Sequence, residues 1–254
     1  MARLLALVFA LAIPFDAAAM VAREIKVGFG APAPYVLRQE EHPGIAVEII
    51  RETFKLSGIG IQPVYHSYQR SKEEVKRGRL DAASTAQRKE GDNLHFSVPC
   101  ISFHPVAIVR KRAGLALEGI SDLPGHSIAA WQNAHEHLGE EFGRLFGRHV
   151  TDAYVRKYFD PADQLAQVKM FWSGRAEIVI IDRLIFDYLT TRLGDHFDTA
   201  EEVEEFPIFG DATVMSVAFS DPELRDRFDR GYAELRRRGV IDGIYEKYRM
   251  GDID

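Results

Sequence analysis

The stretch SGRAEIVIID, residues 173–182, sets five apolar positions before a terminal carboxylate, Asp182. Open α/β sheets bind ligands beyond the carboxyl ends of their strands, so an acid at such an end points toward a cleft rather than the core. Asp182 also suits the N-cap of a helix over RLIFDYL, since aspartate accepts from the free N–H groups of a helix start. A carboxylate on a ligand would need the opposite partner, a guanidinium fork or a helix N-terminus. HEHLGEE places His135 and His137 around Glu136, but positions i and i+2 do not share a helix face, and His-Glu-x-x-His is absent. Neither a Gly-x-Ser-x-Gly elbow nor a phosphate loop nor a dinucleotide fingerprint occurs. Binding rather than catalysis is the chemistry to expect, with no cofactor and no metal.

These residues need a scaffold, and from Glu24 onward strand-length apolar runs alternate with helical patterns, as in an α/β protein. EIKVGFG reads as a strand. GIAVEIIRETFKLSG follows as a helix with apolar residues at 45, 49, 50 and 54, stopped by Gly58. IQPVYH is the next strand, SKEEVKRG a short helix and LDAASTA a third strand. After SVPCISFHPVAIVRK the pattern restarts. SIAAW reads as a strand, and AHEHLGEEFGRLF as a helix with Asn133 as N-cap and Glu136 at capping-box spacing. Asp160, Pro161 and Asp163 open the helix PADQLAQVKMFWSG. EEFPIFGDATVMSVAFS is another strand region, and Asp221 and Pro222 begin a helix that Gly239 breaks before a short final one. EEVKRGRLDAASTA and VKMFWSGRAEIVIID share one order of helix, Gly-Arg, acid and strand, which fits either two lobes on one plan or the coincidence of a short match.

The 254 residues, 46% hydrophobic and 28% charged, suffice for one large domain or two small ones. Arg3, a twelve-residue apolar run from Leu4 to Phe15 and Ala17, Ala18 and Ala19 have the order of a secretory leader at 1–19. The run is shorter than the roughly 18 residues of a membrane span. Cys100, the only cysteine, lies in an apolar stretch and reads as a small buried residue. The formal charge of -6, with basic residues scattered, argues against a nucleic-acid surface.

In order and spacing, PGIAVEIIRETFKLSG, YQRSKEEVKRGRLD, LHFSVPCISF, ISDLPGHSIAAWQN, SGRAEIVIID and DPELRDRFDRGYAELRRRGVIDGIYEKY resemble the family 3 extracellular solute-binding proteins. These are periplasmic receptors for polar amino acids and related solutes that serve ABC importers. The resemblance implies a two-lobed periplasmic binding protein fold of type II, with two hinge strands and the ligand between the lobes. Residues 20–104 with 211–254 would form lobe 1, and 105–210 lobe 2. It also implies a monomer that delivers a small polar solute to a membrane permease.

Position by position, the resemblance gives Asp182 the ligand's α-ammonium and Arg88 its α-carboxylate, with hydroxyls from Ser84 and Thr85 and with Arg70 as a rival. Tyr68 would stack on the ligand, with Tyr35 facing the same region and Trp131 opposite. The chain departs from the pattern in two places. The turn between the strand acid Asp81 and Arg88 is several residues short. WQNAHEH, which puts Asn133 and His135 near the cleft, replaces a Gly followed by Ser or Thr. The fold also hosts cyclohexadienyl dehydratases, for which His104, His135 and Asp182 would be the acid and base groups, and ligand sensors that signal to another membrane partner.

Overall fold

A computed structural model describes residues 23–88, 91–147 and 157–249, so the leader expected at 1–19 lies outside the described residues. Among these, two sheets form, each clothed by helices. In the first sheet, β1 (Arg23–Phe29) lies between β2 (Ile59–Tyr65) and β3 (Ala82–Ala86), parallel to both. β3, the small-residue run AASTA, is buried throughout, as expected of a strand covered on both faces.

α1 (Ile45–Lys55) buries Ile45, Ile49, Ile50 and Phe54, the stripe its sequence period requires. α2 (Tyr68–Lys76) is capped by the Ser67 side chain, which accepts from Arg70 N at 3.4 Å. The last strand of the chain, β11 (Thr213–Phe219), returns antiparallel to β3, and β4 (His95–Phe96) and β5 (Ile101–Phe103) pair with β11. α6 (Pro222–Arg237) and α7 (Val240–Arg249) cover this sheet with α1, and Phe228 of α6 packs against Phe54 at 5.5 Å between ring centroids.

The second sheet holds β6 (Pro105–Arg110), β7 (Ile128–Ala130), β8 (Tyr158–Phe159), β9 (Ile178–Asp182) and β10 (Val203–Phe206), in the order β10-β6-β9-β7-β8. β7 and β9 run parallel, while β6 runs antiparallel to β9 with Pro105 opposite Asp182. Among the described residues the α-helices of this lobe are α3 (Gly139–Phe146), α4 (Gln164–Trp172) and α5 (Arg183–Thr191). The buried Gln167 of α4 donates to Ala129 O and Ile180 O, tying the helix to the ends of β7 and β9.

Two helix starts differ from the sequence expectation. Asn133 adopts a left-handed backbone (φ 62) and makes no side-chain cap hydrogen bond, so the chain makes one 3-10 turn over Ala134–Glu136 and α3 begins only at Gly139. In α4 the cap is Asp163, which accepts from Ala166 N at 2.7 Å, and Asp160 and Pro161 stay outside the helix.

The chain passes between the sheets twice, at His104 between β5 and β6 and over 207–212 between β10 and β11. The crossings lie side by side, because Phe103 pairs with Thr213 on one side of them and Ala107 with Phe206 on the other. The apolar core runs beneath them from Tyr35 and Ile101 through Val106 to Ile181, Ile185 and Phe186. Cys100 is buried, and that burial pushes its thiol up to about 12, which leaves it protonated and inert.

Candidate functional site

The carboxyl ends of the strands in both sheets face a shared cleft of about 480 Å³, within the range of small-molecule sites. The first lobe contributes Gly30 after β1, Ser67 and Tyr68 at the start of α2, and Thr85 and Gln87 at the end of β3. The second lobe contributes Trp131, Asn133, Glu136 and His137 after β7, Gln164 at the start of α4, and Asp182. Phe103, Pro105, Thr213 and Met215 line the cleft beside the crossings.

Gly30 is fixed by close packing: a Cβ there would meet His66 O at 2.4 Å and Tyr68 N at 2.6 Å. Its absence lets the chain entering α2 cross over the end of β1 and bring Tyr68 to the cleft.

Asp182 is 5% exposed, with two backbone N–H donors and the Tyr35 hydroxyl around it. His104 N donates to Oδ2 at 2.7 Å, the Tyr35 hydroxyl lies 3.2 Å from the same oxygen, and Ile185 N donates to Oδ1 at 3.2 Å as the first cap bond of α5. Burial raises its carboxyl above the ordinary range, and the two backbone N–H groups and the Tyr35 hydroxyl oppose that rise. A carboxylate offers about four acceptor directions, so one remains for a donor in the cleft. Asp182 therefore serves as a helix cap and as a cleft wall at once.

Of the residues singled out in the sequence, Tyr68, Thr85, Trp131, Asn133 and Asp182 line the cleft, and five do not. Tyr35 is fully buried, with its hydroxyl 2.9 Å from Ser102 O and its ring packed on Phe103 at 4.3 Å, so it touches Asp182 rather than the cavity. Ser84 is buried one residue before Thr85 and lies outside the lining. Arg88 lies over the Phe96 ring at 5.2 Å, drawn to the β4 side of the sheet. Arg70 is exposed on α2, with Glu74 on the same helix among the carboxylates that feel its charge. The 3-10 turn takes His135 out of the lining while its neighbours Glu136 and His137 stay in it. Of the three groups considered for acid-base work, only Asp182 borders the cavity.

Sequence reasoning missed Gln87, Glu136, His137, Gln164 and the four residues beside the crossings. Gln164 had a signal, since it follows the cap Asp163. Phe103 and Thr213 had none, because only the pairing of β5 with β11 brings them together.

Thr85 has a left-handed backbone (φ 49), rare for a β-branched residue, and its buried hydroxyl has no hydrogen-bond partner. Gln164 Oε1 is likewise buried and unpartnered. Two carboxyl side chains, Glu136 and Asp182, face the cavity, and among its described lining residues there is no lysine or arginine.

Two helix-clad sheets joined by paired crossings, with strand ends converging on a polar cleft, define the two-lobed type II fold of periplasmic binding proteins. The chain belongs to the bacterial extracellular solute-binding proteins, family 3, whose sequence profile matches residues 25–251. Among solved structures it is similar to a histidine kinase sensor domain with similarity to periplasmic binding proteins, at 20% identity and a TM-score of 0.67 over 89% of this chain and 96% of the other. It is also similar to the arginine-, lysine-, histidine-binding protein ArtJ from Geobacillus stearothermophilus, at 17% identity and a TM-score of 0.65 over 89% and 95%. A third is the ancestral amino acid-binding protein AncCDT-1, a precursor of cyclohexadienyl dehydratase, at 17% identity and a TM-score of 0.63 over 89% and 94%. At these identities the likeness concerns the fold. A comparison with curated proteins gave no match.

Proposed function

We propose that the protein captures a small polar solute, an amino acid or a related carboxylate or amine, between its two lobes and presents it to the permease of an ABC importer. The observation that carries this reading is the cleft itself, which draws polar side chains from both lobes and ends in Asp182. Groups from the two lobes contact one ligand together only when the lobes are closed, so ligand shifts the population toward the closed form. Asp182 takes an ammonium group, Tyr68 and Trp131 hold the body of the ligand, and Thr85 supplies a hydroxyl.

Export through the leader at 1–19 and action as a monomer in the periplasm accompany this reading, with 20–104 and 211–254 as one lobe and 105–210 as the other. No helix among the described residues is long and apolar enough to cross a membrane. Thermal shifts of the refolded protein against amino acids, amines and organic acids test the proposal. A ligand at a hundred times its dissociation constant stabilises by about 2.7 kcal/mol, and a hit that disappears in Asp182→Asn locates it in the cleft. A panel with no hit, prephenate and arogenate included, would count against capture.

The likeness to a histidine kinase sensor domain favours a second reading, in which the closed form signals to a membrane partner instead of feeding an importer. The two separate by which membrane protein the ligand-loaded form binds.

A further inference from the structure

In the second lobe the helix starts that would receive a ligand carboxylate are already occupied, and at the start of α2 in the first lobe the Ser67 hydroxyl accepts from Arg70 N at 3.4 Å. Helix N-termini are natural anion sites, and two of them, those of α4 and α5, reach the cavity from the second lobe. The protein's own carboxylates fill both: Asp163 accepts from Ala166 N at 2.7 Å, and Asp182 from Ile185 N at 3.2 Å. Arg88, the guanidinium nearest in sequence to the β3 end of the cleft, stacks over Phe96 outside the lining.

What does face the cavity suits the opposite charge. Asp182 and Glu136 present two carboxylates, and Tyr68 and Trp131 present rings whose faces attract cations. The buried Gln164 Oε1, an acceptor without a partner, calls for an N–H donor. Thr85, 6% exposed and bordering the same cavity, adds an unpartnered hydroxyl.

Resting on the capture function proposed above, we infer that the ligand is a small organic cation without a carboxylate, a diamine or an amino-guanidine. One cationic group sits at Asp182, the second lies toward Glu136, and the aromatic rings cover the methylenes between. Adding a carboxylate to such a ligand brings a negative charge into a site lined by Asp182 and Glu136, with no lysine or arginine among its described lining residues to meet it.

Matched pairs isolate that one group: putrescine against ornithine, cadaverine against lysine, and agmatine against arginine, each titrated calorimetrically into the full refolded protein. The inference predicts that at least one amine binds at least tenfold tighter than its carboxylated parent. Glu136→Gln should weaken that amine several-fold while leaving the melting temperature of the free protein within a degree or two. Arg88→Ala should leave the ratio within each pair unchanged. If the amino acids bind as tightly as the amines or tighter, the inference is overturned while capture of a small solute stands. It is overturned equally if none of the six binds, and capture of a neutral or anionic solute would then still support the function. If no solute of any charge binds, both fall.

Discussion

The hydroxyl of Tyr35, a residue of the first lobe, lies 3.2 Å from Oδ2 of Asp182 in the second, and the N–H of the crossing residue His104 donates to the same oxygen at 2.7 Å. One carboxylate oxygen thus touches both lobes and one of the passages between them. Any ligand that draws on Asp182 acts on the group that links the lobes, which ties binding directly to the relative position of the two sheets.

Tyr35→Phe removes a hydroxyl whose single proton is shared between Ser102 O at 2.9 Å and Asp182 Oδ2 at 3.2 Å, and leaves the ring packing on Phe103 in place. The shorter of the two contacts is to a neutral carbonyl, and a typical hydrogen bond contributes about 0.5–1.5 kcal/mol, so the urea midpoint should fall by an amount corresponding to roughly 1 kcal/mol. The Asp182 carboxyl should also titrate higher than in the parent. An unchanged midpoint with an unchanged acid limb of ligand binding would mean that the contact carries no weight.

Asp182→Asn and Asp182→Ala separate the two roles of this residue. Asparagine remains a good N-cap, whereas alanine forfeits the bond to Ile185 N and costs about 0.5–2 kcal/mol of stability. Both should lose ligand affinity, because neither carries the charge. Full affinity in the asparagine variant would reduce Asp182 to a cap.

Asp182 also fixes the sign of a pH effect. Its folded-state pKa is raised above the ordinary 3.8, chiefly by burial. The native state therefore holds the proton that the unfolded chain has lost, and this group's contribution to stability declines as pH rises from about 3.8 through the raised value. Binding of a cation needs the ionised form and so weakens as pH falls through the same window. Urea titrations of parent and Asp182→Asn at a series of pH values spanning that window measure the effect, and the stability of the parent relative to the variant should fall steadily as pH rises. A parent-minus-variant difference that is flat with pH would contradict the assignment.

Gly30→Ala places a methyl group where His66 O and Tyr68 N leave 2.4 and 2.6 Å. Backbone atoms cannot step aside as a side chain can, so the loop into α2 must shift and carry Tyr68 with it. The expected outcome is a loss of ligand affinity of at least tenfold with a drop in melting temperature. A variant that binds normally would show that Tyr68 is not positioned through this approach.

What the sequence discloses depends on how locally each feature is determined. The α1 stripe Ile45, Ile49, Ile50 and Phe54, and Asp182 at the end of an apolar strand, follow from neighbouring residues alone and are recovered in place. Thr85 stands out in the sequence for its hydroxyl, but its left-handed backbone lies where β3 carries one residue more than β11, Ser84 and Thr85 opposite Val217, which no local rule for a β-branched residue foretells. Arg88 reads as a carboxylate clamp only by resemblance, while the structure lays its guanidinium over the Phe96 ring, a neighbour that strand pairing and not local sequence supplies. Asn133 looks like a cap by residue type, and its backbone dihedral makes it a bend instead.

The central claim, solute capture in a cleft shared by both lobes, has a reporter already in place. Of the two tryptophans, Trp131 borders the cavity, while Trp172 packs on Phe186 and donates to Thr190 Oγ1. In a Trp172→Phe background, Trp131 fluorescence is followed as amines, amino acids and organic acids are titrated into the refolded protein. The account predicts a saturable change with at least one solute, abolished by Asp182→Asn. A ligand that binds by calorimetry yet leaves Trp131 fluorescence unmoved, or whose signal survives Asp182→Asn intact, would contradict it.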